Sequence, residues 1–118
     1  MQLTRHQTMK RASEFAMVRA QGSSAAGRFL VLSTLAYTGE GADARESRFG
    51  IITTRRLGHA VVRNLLRRRV REILRTHGEP MALGHYVVII PRHTAATATY
   101  QELEKDFQRL LKRKHFTN

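Results

Sequence analysis

The strongest constraint on this chain is residues 53–75, TTRRLGHAVVRNLLRRRVREILR, which hold eight arginines against one acid, Glu72. Stepping about 100° per residue from Ala60 predicts one helix with two unlike faces. Arg63, Asn64, Arg67, Arg68, Arg71 and Arg75 share one arc, and Val62, Leu65, Leu66, Val70 and Ile73 share the opposite one. A fold that accepts this helix must bury the second arc and leave the first free. Solvated helix faces ordinarily mix signs, because opposite charges one turn apart attract and like charges repel. Here Arg63, Arg67, Arg71 and Arg75 stand in an i,i+4 row, and only Glu72 offers relief, to Arg68 and Arg75. A polyanion is the simplest compensation, since guanidinium forks match phosphate oxygens in pairs. The pattern favours nucleic acid over a membrane surface or a merely solvated face.

The remaining composition agrees. The 118 residues carry 21 Lys and Arg against 9 Asp and Glu, a net charge of +12, and that size is the size of one domain. An apolar share of 42% suits a folded domain. The absence of cysteine excludes disulfides and thiolate metal sites and fits a reducing cytoplasm. No stretch resembles a signal peptide or a membrane span.

Residues 1–9 read as a loose lead-in. A first helix is predicted over 13–21, capped by Ser13 and ended by Gly22 in a left-handed conformation, with Phe15 and Val18 on one face. Residues 23–27 are small and suit a brief edge strand. Residues 28–36 and 85–91 are apolar on both sides and read as buried strands. Residues 47–54 form another strand, expected to pair antiparallel with 28–36 because a hairpin-length loop joins them. The arginine helix ends at Gly78 and Pro80. A last helix over 100–114 carries the stripe Leu103, Phe107, Leu110 and Leu111, with Glu102, Glu104 and Asp106 in its first part to match the helix dipole. The order αβββαβα makes an α+β two-layer sandwich, helices covering a sheet. The general rule for parallel crossovers makes the strand–arginine helix–strand unit right-handed.

Chemistry is harder to find. The nine acids fall mainly in one loop and at the start of the last helix, with none paired at a strand end as a two-metal nuclease requires. The six histidines (His6, His59, His77, His85, His93 and His115) show no i,i+3 or i,i+4 spacing, so no zinc helix is present. Spacing alone leaves open a histidine pair acting as general acid and base. No Gly-rich loop precedes a helix to cradle a nucleotide, and no metal site or small-molecule cofactor is indicated.

The order Thr54-Arg55-Arg56, Gly58, Ala60-Val61, Arg63-Asn64-Leu65, Arg67-Arg68 and Arg71-Glu72 resembles the signature of the bacterial ribonuclease P protein subunit. It departs at Leu65, where the family has a second arginine, and at Arg69, where it is usually aliphatic. The resemblance extends over nearly the whole chain, with Phe15 at the family's usual phenylalanine. It implies a mixed four-stranded sheet with a left-handed crossover, like domain 2 of ribosomal protein S5, against the general rule. It also implies that the RNA subunit is the catalyst and holds Mg2+, while the protein binds that RNA and the 5′ leader of precursor tRNA. No catalytic residue is then expected on the protein.

Two surfaces follow. Arg55, Arg56, Arg63, Asn64, Arg67, Arg68, Arg69 and Arg71 would face the catalytic RNA, with Asn64 directing a hydrogen bond to a base or 2′-hydroxyl. Arg69 would lean back over the turn of Leu65 and restore the missing phosphate contact. Phe15, Arg19, Phe29, Val31, Ser33, Ile51, Thr53 and Arg92 would line a leader-binding cleft between the first helix and the sheet. Arg19 and Ser33 stand where the family favours rings, and Phe29 would compensate. The alternative function is a structural RNA-binding protein, such as a ribosomal protein or RNA chaperone, with no link to cleavage. A DNA-binding helix-turn-helix is weaker, because no short helix precedes the arginine helix.

Overall fold

Strands that are apolar on both sides need cover on both sides, and the computed structural model, which describes all residues except 2, 5 and 6, puts two such strands in the middle of one sheet. The elements are α1 (Ala12–Gln21), β1 (Ser23–Ala26), β2 (Leu30–Ala36), β3 (Arg48–Ile51), α2 (Ala60–His77), β4 (His85–Pro91) and α3 (Tyr100–Arg113). The sheet order is β1-β2-β4-β3. β1 and β4 both pair antiparallel with β2, while β3 pairs parallel with β4. The expected hairpin between β2 and β3 does not form. Their connecting loop spans the width of β4, which arrives later through α2 and takes the central place. The reason is burial: the run HYVVIIP is more apolar than RFGI and fills the interior position, leaving the shorter strand at the edge.

The larger core lies on the face covered by α2 and α3. Leu66, Val70, Ile73 and Leu74 of α2 and Leu103, Phe107, Leu110 and Leu111 of α3 pack there on Leu32, Phe49, Val87 and Ile89. Of the predicted apolar arc of the arginine helix, Leu66, Val70 and Ile73 are thus buried, while Val62 and Leu65 are half-buried at its border. α3 opens on a capping box, Thr99 and Glu102 each accepting the other's backbone N–H. His77 and Glu104, 2.8 Å apart, join α2 to α3.

Asp106 departs from the sequence reading. It is not a solvated acid complementing a dipole but is 3% exposed. Its carboxylate accepts the backbone N–H groups of Arg28, Phe29 and Leu30 at 3.0, 2.9 and 2.9 Å. Those donors belong to the chain just entering β2, and the carboxylate fixes where that strand begins.

α1 crosses the opposite face of the sheet. It starts one residue before Ser13, which therefore sits inside the first turn and caps nothing. Gly22 is extended, not left-handed, because the chain runs straight into β1; a side chain there would meet the Val18 and Thr34 carbonyl oxygens at 2.6 Å. The lead-in is not wholly loose either. Met9 is buried, its N–H bonds the Phe49 carbonyl at 2.8 Å, and Thr8 bridges to Phe49 along the open edge of β3. Positions 2, 5 and 6 of that segment, His6 among them, lie outside the described residues. No helix is long and apolar enough to cross a membrane among the described residues.

Candidate RNA interface

The arginine helix and the cleft occupy opposite faces of the sheet and meet at one edge. β3 ends at Ile51, and the chain passes through Ile52, Thr53 and a short 3-10 turn, Arg55–Leu57, before α2 begins at Ala60. Leu57 anchors that turn in the core, which leaves Arg55 and Arg56 exposed.

Along α2 the charges divide. Arg75 donates to Glu72 through Nε at 3.0 Å, and that hydrogen bond holds the Glu72 carboxyl below the usual carboxylate range. Glu72 therefore serves Arg75 and not Arg68. Among the described residues, Arg55, Arg56, Arg63, Arg67, Arg68 and Arg71 have no carboxylate within 4.0 Å. The Arg67 guanidinium instead donates to the Asn64 side-chain oxygen at 2.7 Å. That bond uses the acceptor of Asn64 and turns its amide toward a donor role, suited to an oxygen or ring nitrogen of RNA. Arg63 is half-buried, and its Nε has no partner among the described residues.

Arg69 lies differently from its neighbours. Its Nη1 donates to the Ala98 carbonyl at 3.1 Å, beside the start of α3. The side chain thereby reaches from the border of the buried face of α2 to the segment before α3.

The cleft is a groove of about 510 Å3 between α1 and the sheet. Phe15, Arg19, Val31 and Ser33 line it as read from the sequence, together with Ala12, Ala16, Ser24, Ile52, Val88 and Ile90. Four expected residues do not line it. Ile51 packs toward the larger core, and Thr53 shares its parity, with its hydroxyl buried and unpartnered. Alternation puts Gly50 and Ile52 on the groove side instead. Phe29 is buried in the larger core because Asp106 holds its backbone before β2 starts. Arg92 sits past the end of β4, with its Nη1 on the Gly27 carbonyl at 2.7 Å. The missed residue Gly50 carried a legible signal: a glycine inside a strand often marks a close approach. A side chain at Gly50 would meet the Phe15 ring at 2.5 Å, so the glycine lets that ring lie on β3. An ion pair, Arg48 Nε to Glu14 at 3.0 Å, holds the same end of α1 to β3. On the groove floor the Ser24 and Ser33 hydroxyls are 2.6 Å apart.

A slot with one ring and apolar walls, joined at its end to an unneutralised arginine surface, is what a single-stranded nucleic acid and a folded RNA would each use. The family model described as Ribonuclease P matches residues 3–115. The chain belongs to the ribonuclease P protein family. That family provides the protein component of ribonuclease P, a ribonucleoprotein of tRNA processing, and its ribonuclease P role displaces the alternative of an unrelated structural RNA binder. The ribonuclease P protein component of Thermus scotoductus is 41% identical over 93 residues, 79% of this chain. The match spans 51% of the Thermus protein's length. The component from Clostridioides difficile is 31% identical over 114 residues, 96% of each chain. The structure resembles the RNase P protein of Staphylococcus aureus with a TM-score of 0.82 at 26% identity, covering 95% of this chain and 98% of that one. It resembles that of Thermotoga maritima with a TM-score of 0.76 at 26% identity, covering 90% and 96%. The αβββαβα order and mixed sheet are therefore those of the ribonuclease P proteins.

Proposed function

We propose that this chain binds the catalytic RNA of ribonuclease P through the arginine surface and the 5′ leader of precursor tRNA through the groove, in the cytoplasm. The observation that supports it most is the groove itself, which has an aromatic ring seated over Gly50 at the end nearest Arg55 and Arg56. Bases would stack against Phe15 and the apolar walls while the backbone follows the cations. The leader is thereby held in line with the RNA on the far side of the 3-10 turn. Holding it adds substrate affinity, and the chemistry stays with the RNA subunit. Among the described residues no three His, Asp or Glu side chains converge on a point that could hold a metal ion. In this reading the Mg2+ ions of the reaction belong to the RNA subunit.

Phe15→Ala tests the groove. Stacking is worth about 1–3 kcal/mol per base, so the reconstituted holoenzyme should lose roughly tenfold in affinity for precursor tRNA with a leader and almost nothing for tRNA without one. Equal losses for both substrates would remove the leader from the groove.

A further inference from the structure

The groove has a direction. α1 runs from β3, where Arg48 and Glu14 pair and Phe15 covers Gly50, to Gly22 at the start of β1. Its lining follows the same course, from Ile52 at the arginine end to Arg19 and Ser24 at the other. With strands about 4.8 Å apart, four strands give a path of roughly 14 Å, which holds on the order of four nucleotides. A longer leader must leave past β1, which is the edge of the sheet.

Three cations wait on that edge. Lys114 Nζ donates to the Ser23 carbonyl at 3.0 Å, Arg113 Nη1 to the Ala26 carbonyl at 2.7 Å, and Arg92 Nη1 to the Gly27 carbonyl at 2.7 Å. They come from two separate places, the end of α3 and the end of β4, yet all reach one stretch of chain, β1 and the Gly27 that follows it. They cover about 13 Å of it, taking four residue steps of roughly 3.3 Å. None of the three has a carboxylate within 4.0 Å among the described residues. Asp106, whose carboxylate lies against Gly27, already accepts three backbone N–H groups. Protection of a sheet edge accounts for one donor from each side chain. It does not account for three uncompensated positive charges, since a neutral donor would satisfy the same carbonyl. A guanidinium fixed through one N–H still presents four others, already oriented.

We infer that Arg92, Arg113 and Lys114 form a phosphate-binding strip for the distal part of the leader, continuing the groove beyond β1. The inference rests on the leader reading of the groove. It assigns the proximal nucleotides to Phe15 and the apolar walls, and the nucleotides beyond about the fourth to charge alone. Recognition along the strip is then indifferent to base identity.

The test is affinity of the reconstituted holoenzyme for precursor tRNAs with leaders of about 4 and about 10 nucleotides, lengths set by the groove's span. The variant is the triple Arg92→Gln, Arg113→Gln, Lys114→Gln, in which amide donors can still reach the carbonyls. For the long leader, affinity should fall about tenfold and the salt slope by roughly 2, at about 0.7 per phosphate on a single strand. For the short leader both should hold, which also reports that the variant is folded and its groove intact. Arg92→Lys with Arg113→Lys should behave as the parent. Equal loss on both leaders would place the strip against the catalytic RNA instead and overturn the inference, as would no loss on either. Should the parent protein gain nothing from the short leader, the groove reading itself fails; a gain from the short leader with none added by the long one fails the strip alone.

Discussion

Replacing Arg63, Arg67 and Arg71 together by alanine should lower affinity for ribonuclease P RNA by about 100-fold at near-physiological salt and flatten the salt dependence by roughly 2 to 3. The same variant should unfold at an equal or higher temperature. The opposite signs follow from one cause. These side chains form an i,i+4 row of like charges, which destabilises an isolated helix, and alanine is the best helix former. None of the three has a carboxylate partner within 4.0 Å among the described residues, so no folded-state ion pair is lost. Arg67 gives up its bond to Asn64, which is exposed. Equilibrium binding across a salt series, set beside a thermal melt, measures both effects. A fall in melting temperature matching the fall in affinity would mean that the row is structural and not a binding surface.

The largest stability effect should come from Asp106→Ala. Three backbone N–H groups, two of them buried, would lose a charged acceptor. A buried donor left without a partner costs about 1–3 kcal/mol, so the sum is on the order of 4 kcal/mol. Domains of this kind have about 5–15 kcal/mol in all. The melting temperature should then drop by roughly 15 °C. Asp106→Asn keeps an acceptor oxygen and the shape, and should fall between. Urea or thermal unfolding reads both variants, and a loss under about 1 kcal/mol for Asp106→Ala would show that water replaces the carboxylate.

What could be read in the sequence depended on how far each pattern is local. The arginine helix was legible to its buried arc, because 3.6-residue periodicity needs no knowledge of the partner: Leu66, Val70 and Ile73 are buried as predicted. The strand runs were legible, but their pairing was not. Loop length suggested a β2–β3 hairpin, while the competition of β4 for the central position is a property of the whole sheet. The cleft was half legible for a related reason. Ile51 and Ile52 are both apolar, so alternation alone cannot say which one faces α1, and a one-residue choice inverts the strand. Gly50 could have decided it, as the residue under Phe15. Asp106 also left a trace. It stands three residues after Leu103 and four before Leu110, in the middle of the apolar stripe of α3, where a solvated acid does not belong. Arg69 left none, since the carbonyl that holds it comes from Ala98, 29 residues away.

The central claim is that this chain gives ribonuclease P RNA a better hold on its substrate without supplying the chemistry. The measurement that tests it most directly is cleavage of a precursor tRNA by a bacterial ribonuclease P RNA at low magnesium and near-physiological salt, with and without the purified protein. Cleavage at the mature 5′ end should appear with RNA and protein together, and not with protein alone. If the protein leaves cleavage unchanged while still binding many RNAs with a steep salt dependence, the account is contradicted and the arginine surface is a general RNA-binding face.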